Sequence, residues 1–302
     1  DLPEEKFNEI VQLVQEGADV NAEDKYSWTP LMYASLMDAS YYGYADLAQL
    51  LIDNSADINA KTEDDWTALM HASHDGHIDT VQLLIDKGAD VDAQDKDGWT
   101  ALMLAFHDGH IDTVQLLIDK SADLNFQSNK DGWTALILAS HDGHTDTVQL
   151  LIDKGADLNA QCKDGWTALM GAVDNGHTDT VQLLLDKGAD LNAQGKDGWT
   201  ALMGAVDNGH TDTVQLLLDN GADVNAEDKY SWTPLIYASA IGRMESVQLL
   251  LDNGADVNAK NKYGRTAYDI AKEEGHTDVV EVIEKYQSSQ ENDNNSEISL
   301  GR

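Results

Sequence analysis

The amino-acid sequence predicts an all-α repeat solenoid of short helix-turn-helix units joined by β-hairpin or turn fingers. Three observations predict it. Trp-Thr pairs begin at Trp28, Trp66, Trp99, Trp133, Trp166, Trp199 and Trp232, and Arg265-Thr266 continues the series, so successive steps are 38, 33, 34, 33, 33, 33 and 33 residues. All seven tryptophans of the chain therefore hold one repeat position. Each unit also carries two apolar stretches at helical spacing, both too short to persist alone, so the units must bury their apolar faces against their neighbours. Turn formers lie between those stretches at fixed offsets.

The unit "KDGWTALMGAVDNGHTDTVQLLLDKGADLNAQG", residues 163–195, shows the reason for each element. Thr167 precedes Ala168, Leu169, Met170, Ala172 and Val173, which reads as a short helix whose first turn is capped by a hydroxyl. Asn175-Gly176 ends it. "TDTVQLLLDK" then predicts a second helix, with Asp179 at the positive end of its dipole and Val181, Leu183, Leu184 and Leu185 as its apolar surface. Gly188 is placed for a left-handed C-terminal cap, and "ADLNAQGKDG" swings the chain out and back.

These residues resemble the ankyrin repeat family. The resemblance rests on the 33-residue period, on "WTPLMYAS" at 28–35, on Gly-His at 76–77, 109–110, 143–144, 176–177, 209–210 and 275–276, and on "GADVNA" at 17–22, 221–226 and 254–259. It covers residues 10–286. The family's His in Thr-Pro-Leu-His is here Met32, Met70, Met103, Ile137, Met170, Met203 and Ile236, so apolar packing is expected to substitute for its polar network. Pro30 and Pro234 keep the family's proline, and Ala replaces it elsewhere.

The expected organisation is a partial N-terminal capping repeat over 2–24, seven full repeats over 25–260, a C-terminal capping repeat over 261–286 and a disordered tail over 287–302. The cap at 261–286 carries Lys272, Glu273, Glu274 and Lys285 where inner repeats are more apolar. The first full repeat has five extra residues around "DASYY" at 38–42, and the third has one around "FQSN" at 126–129. Residues 17–31 return letter for letter at 221–235, an offset of 204 that equals six periods of 33 plus the six inserted residues. Duplication of a unit explains the copy.

Composition narrows the partners. With 55 Asp and Glu against 19 Lys and Arg, the formal net charge is -36. Such a chain repels nucleic acid and anionic membrane and attracts basic partners. The single cysteine, Cys162, forms no intramolecular disulfide, which fits a reducing cytoplasm, of the producing cell or of a host. No apolar run approaches the ~18 residues of a membrane span, and "DLPEEKFNEI" lacks the basic and apolar regions of a signal peptide.

Metal and catalytic chemistry find little support. His74/His77, His107/His110 and His141/His144 sit three apart in consecutive repeats, but stacked helices stand about 10 Å apart and a metal needs its ligands at about 2 Å. The Asp-rich turn "DVDAQDKDG" at 90–98 lacks calcium-loop spacing. Cys162 has no His beside it in sequence, and there is no phosphate-cradling loop or nucleophile motif. The expectation is a non-enzymatic chain with no cofactor and no metal.

The resemblance implies a concave face, lined by hairpin tips and first helices, that binds other proteins. On that face the expected partner contacts are Trp28, Trp66, Trp99, Trp133, Trp166, Trp199 and Trp232, with Asp75, Asp108, Asp142, Asp174 and Asp207 near the ends of the first helices. Asp97, Asp131, Asp164 and Asp197 precede tryptophans by two positions. Indole faces beside carboxylates suit Lys or Arg, and a step of about 10 Å equals three residues of extended chain at about 3.3 Å each. The alternative for the tryptophans is a structural ladder.

Tyrosine is confined to the ends, with none between residues 45 and 229. Tyr26, Tyr33, Tyr41, Tyr42 and Tyr44 mark one contact zone and Tyr230 and Tyr237 the other, because Tyr and Trp dominate binding energy at interfaces. Tyr268 and Tyr286 are expected to pack in the C-terminal cap.

The leading expectation is a monomeric interaction module that takes a protein partner, basic or positively patched, on this Trp/Tyr/Asp face; the array also resembles host-directed effectors of intracellular bacteria. The alternatives are an acidic mimic of nucleic acid that inhibits a DNA- or RNA-binding protein, and a targeting domain of a larger enzyme or effector.

Overall fold

The computed structural model describes residues 4–36 and 44–300. Tyr41 and Tyr42 lie outside the described residues, as does the side chain of Tyr44. The chain divides into two compact units, Asp1–Ala139 with Asp146–Lys163, and Ser140–Thr145 with Asp164–Arg302.

In the first unit the helices are α1 (Glu4–Gln15), α2 (Pro30–Ser35), α3 (Tyr44–Asp53), α4 (Ala68–His74), α5 (Ile78–Asp86), α6 (Ala101–His107) and α7 (Ile111–Asp119), with most of α8 (Ala135–His141) and α9 (Thr145–Asp153). The second holds α10 (Ala168–Asp174), α11 (Thr178–Asp186), α12 (Ala201–Asn208), α13 (Thr211–Asp219), α14 (Pro234–Ala240), α15 (Met244–Asp252), α16 (Ala267–Glu274) and α17 (Thr277–Leu300). Packing follows one rule in each unit. The two helices of a repeat pack together, as in α4 on α5 or α12 on α13; first helices pack on first helices, and second helices on second helices. That is the stacking of a helical repeat solenoid.

The first helix forms because its threonine is a working cap. Thr67 stands in extended backbone and its hydroxyl accepts from the Met70 N–H, and Thr29, Thr100, Thr167, Thr200, Thr233 and Thr266 repeat the geometry. At Met32 and Met70 the sulfur accepts in return from the N–H of Thr29 and Thr67, each at 3.4 Å, where a capping box ordinarily uses an acid. Met32, Met70, Met103, Ile137, Met203 and Ile236 are all 1% exposed or less, so apolar packing does take the place of the family's histidine. Val81, Leu84, Val181 and Leu184 of the second helices are fully buried in the seam, each worth about 1.5–3 kcal/mol of burial.

Three polar devices set the step between repeats. The Gly-His pair is one. Gly176 has φ +69°, and a Cβ there would lie 2.7 Å from the His210 ring; Gly143 with His177 and Gly76 with His110 are built alike. The imidazoles of His77 and His210 also donate to the carbonyls of Leu36 and Asp174 in the preceding repeat, at 3.1 and 3.2 Å. These histidines space the stack, which answers the His column seen in the sequence. Where the histidine is Arg243, its guanidinium lies against Gly209 and donates to the Asp207 carbonyl.

The second device is the Asn of "GADxNA". Asn225 Oδ1 accepts the Asp256 N–H at 2.7 Å, and Asn59 and Asn125 do the same for Asp90 and Asp157. Asp92 fills that role for Asp123. The third is a single backbone bond between successive fingers, such as Lys196 N–H to the Asp164 carbonyl at 2.9 Å or Lys229 N–H to that of Asp197 at 2.7 Å. With one bond per step the fingers are turns, and no strand forms among the described residues.

In the C-terminal repeat Tyr268 donates its hydroxyl to Glu284 at 2.9 Å, tying α16 to α17. The α17 helix runs to Leu300, through most of the stretch whose composition predicts disorder.

Candidate functional site

The tryptophans begin from the turn before them. In the first repeat the Asp24 carboxylate accepts the N–H groups of Tyr26 and Trp28, at 2.8 and 3.0 Å, while the Trp28 carbonyl accepts the Asp24 N–H. This closes a tight loop that holds the indole at the mouth of the first helix. Thr62, Asp95, Ser128 and Asp228 do the same for Trp66, Trp99, Trp133 and Trp232. Cys162 and Gly195 occupy the equivalent place before Trp166 and Trp199. Cys162 is thus a buried turn residue.

All seven indoles are half-buried. The position that decides their surroundings is the fifth residue after each tryptophan: Tyr33, His71, Leu104, Leu138, Gly171, Gly204 and Tyr237. At two of these positions, one turn into the first helix, the side chain lies between its own indole and the indole of the preceding repeat. His71 lies between Trp28 and Trp66, with ring centroids 4.4 and 4.9 Å away. Tyr237 lies between Trp199 and Trp232 at 5.0 and 4.9 Å. At Gly204 there is no side chain, and a Cβ would make ordinary contact with the Trp199 indole nitrogen at 3.5 Å and Val173 Cγ1 at 3.7 Å. At His71 and Tyr237 the indoles pack as rungs, and all seven stay half-open.

The duplicated segment builds the same small cluster twice. Tyr33 donates its hydroxyl to Asp24 Oδ2 at 2.8 Å, and Tyr237 donates to Asp228 Oδ2 at 2.8 Å. Three donors converge on one carboxylate in each copy. The Trp28 and Tyr26 amides and the Tyr33 hydroxyl hold the Asp24 carboxyl below its usual range, and burial followed by the Asp228 bond holds the Tyr237 phenol well above its own. Tyr33 is raised by its bond to Asp24. Tyr26, Tyr33 and Tyr230 are exposed, at 51%, 46% and 46%. Lys25 covers the Tyr26 ring at 4.5 Å and Lys229 the Tyr230 ring at 5.0 Å.

The carboxylates at the ends of the first helices are partly engaged. His74 meets both Asp75, at 2.7 Å, and Asp108, at 3.4 Å. Asp142 pairs with His141, and Asp174 accepts from Asn208 at 2.9 Å. Asp207 is exposed and faces Tyr237 closely enough to help raise its phenol. Asp164 and Asp197, in the fingers, meet Lys196 at 3.7 Å and Lys229 at 2.7 Å. Exposed pairs of this kind are worth about 0–1 kcal/mol, so a cation from a partner competes with them readily.

One cleft opens on this surface in the first unit. It holds about 340 Å³ and is lined by Tyr26, Trp28, Thr62, Glu63, Asp64, Trp66 and His71. His71 belongs to neither the Gly-His loop nor its i–3 partner, so the His pairs of the sequence do not reveal it. Its signal is the fifth place after Trp66, where it is the one imidazole in a series of Tyr, Leu and Gly. It is 5% exposed, and its Nε2 has no hydrogen-bond partner among the described residues. Burial lowers its pKa to about 4, against an opposing pull from Asp75, so the ring is neutral at pH 7.

Among the described residues no group of three His, Cys, Asp or Glu side chains is arranged to hold a metal ion, and no helix is long and apolar enough to cross a membrane. A search of the curated proteins found none that matches the chain. The family model described as ankyrin repeats (3 copies) matches residues 36–128, 122–195, 159–228 and 202–295. With the stacked helix pairs, the Gly-His spacers and the Asn bridges, this makes the chain a member of the ankyrin repeat family, whose repeats form protein–protein interaction modules.

Proposed function

We propose that the chain binds a protein partner on the face formed by its tryptophan column, the flanking tyrosines and the carboxylates of the first helices and fingers, and that it prefers a basic segment. The observation that carries this reading is the state of the indoles. They are half-buried by fixed turns, so they present rigid aromatic surface at little cost in side-chain entropy. Carboxylates stand beside them, and Lys25 and Lys229 already lie over Tyr26 and Tyr230, which is the contact an incoming cation would make. The net charge of -36 adds long-range attraction for such a segment.

Contacts are proposed at both ends, through Tyr26, Trp28 and Tyr33 and through Tyr230, Trp232 and Tyr237, with the chain acting as a monomer without catalysis. The test is retention of a partner by the immobilised native chain beside a Trp28→Ala/Trp232→Ala variant, identified by mass spectrometry. A partner held by the native chain and lost by the variant supports the reading; one held equally by both but released by moderate salt favours acidic mimicry of nucleic acid.

A further inference from the structure

We infer that the cleft between Trp28 and Trp66, floored by His71, is a binding site for a single arginine side chain of a protein partner. This deepens the reading above and rests on it. The geometry of the cleft supplies three separate requirements.

The first is a cleft that two indoles line. The Trp28 and Trp66 centroids lie 4.4 and 4.9 Å from the imidazole between them, so the indoles are less than ~10 Å apart. The imidazole fills the gap between them, so a flat cation enters above it, in the cleft of about 340 Å³ that both indoles line, where their ring faces attract it. Tyr26, 51% exposed, stands at the rim.

The second is an unpartnered ring nitrogen. His71 Nε2 is buried without a partner among the described residues, a condition that costs free energy unless something arrives to satisfy it. With its proton on Nδ1, the neutral ring leaves Nε2 bare and able to accept an N–H. The equivalent residue elsewhere offers nothing comparable: Leu104, Leu138, Gly171 and Gly204 have no polar side-chain atom, and the Tyr237 hydroxyl is committed to Asp228. The duplicated "DKYSWTP" segment therefore produces a cleft of this kind only where the following repeat supplies Trp66 and His71; after Trp232 that repeat supplies Arg265 and Ile270.

The third is charge. Glu63 and Asp64 line the cleft, and Lys96 meets the Asp64 carboxylate at 3.7 Å with both side chains well exposed, a weak claim on the acid. Lys25 is engaged on the Tyr26 ring. A guanidinium stacks by its plane, gives one N–H to the floor and keeps others for the acids. A quaternary ammonium has no N–H for His71, and a lysine ammonium cannot stack as a plane.

The test uses the full chain and N-acetyl-arginine methylamide, followed by NMR at the seven indole N–H signals. Saturable shifts concentrated on Trp28 and Trp66 are expected, with the neutral isostere N-acetyl-citrulline methylamide binding at least about ten-fold more weakly. His71→Leu, which places at 71 the residue found at 104 and 138, is expected to keep the fold and to weaken arginine binding by about ten-fold. Trp66→Ala should abolish it. Equal shifts at all seven indoles, equal binding of citrulline, or unchanged affinity in His71→Leu overturns the arginine site. If an arginine-rich peptide then still shifts other indoles, the broader basic-partner reading stands; if no indole responds to it, both fail.

Discussion

The imidazole of His71 lies 4.4 Å from the indole of Trp28, a residue of the preceding repeat, and 4.9 Å from Trp66 of its own. This contact joins the two properties of the column. Trp28 and Trp199 are each finished by a ring from the next repeat, His71 and Tyr237, whereas Trp133 and Trp166 are followed there by Gly171 and Gly204, so the identity of that residue decides how open the face is locally. A tyrosine, histidine, leucine or glycine at the fifth position therefore tunes one step without disturbing the stack.

Acid should destabilise the native chain through His71. The folded pKa of about 4 lies below the ordinary histidine value of 6.5, so between those values the unfolded chain binds a proton that the folded one does not. Stability is then complete above pH 6.5 and is lost as pH falls toward 4, by about 2 kcal/mol between pH 7 and pH 5 for this group. Denaturant unfolding of native chain and His71→Leu at both pH values checks this: the difference between the two should shrink on going from pH 5 to pH 7.

At pH 7 the same substitution should stabilise. Leucine removes a buried nitrogen without a partner and keeps the apolar volume between the indoles, for a gain of about 1 kcal/mol. A higher midpoint for His71→Leu at pH 7 is the expected outcome. A loss of several kcal/mol would mean that Nε2 is satisfied in solution.

Glycines with positive φ should differ according to what stands beside them. Gly176→Ala meets the His210 ring at 2.7 Å, whereas Gly188, with φ +89°, has nothing within 4 Å of a Cβ. Both substitutions bear the left-handed backbone cost of about 1–2 kcal/mol. Only Gly176→Ala also has to displace an imidazole that bonds the preceding repeat, so it should cost at least about 1 kcal/mol more in denaturant unfolding.

Asn225→Ala should loosen the step between two repeats. Its amide accepts the Asp256 N–H at 2.7 Å and donates to the Gly254 carbonyl at 3.3 Å. Loss of both costs about 1–2 kcal/mol, and amide hydrogen exchange should quicken first around residues 254–258.

The repeat is legible in the sequence because its determinants are local. A threonine three residues before a buried amide, a glycine before a histidine and an asparagine after "GAD" each act within one unit or between adjacent copies, and 33-residue spacing multiplies the signal. Tip geometry is less legible. "KDG" fits a hairpin as well as a turn, and a single interrepeat bond per step decides for the turn. The site is the least legible part, since exposure depends on the neighbouring copy. Trp28 and Trp99 read alike in sequence, yet the residue that meets Trp28 from the next repeat is His71, and the equivalent residue beyond Trp99 is Leu138. The paired states of Asp75 and Asp108 through His74 likewise needed the stacked repeats to be seen.

The central claim is that the indole column is a recognition face. Its most direct test is the response of the seven indole N–H signals to a purified partner obtained with the native chain. Shifts at Trp28, Trp66 and Trp232 are expected, with a loss of affinity of at least about ten-fold in Trp28→Ala/Trp232→Ala. Unmoved indoles, together with binding that survives that double substitution and vanishes in moderate salt, would contradict it.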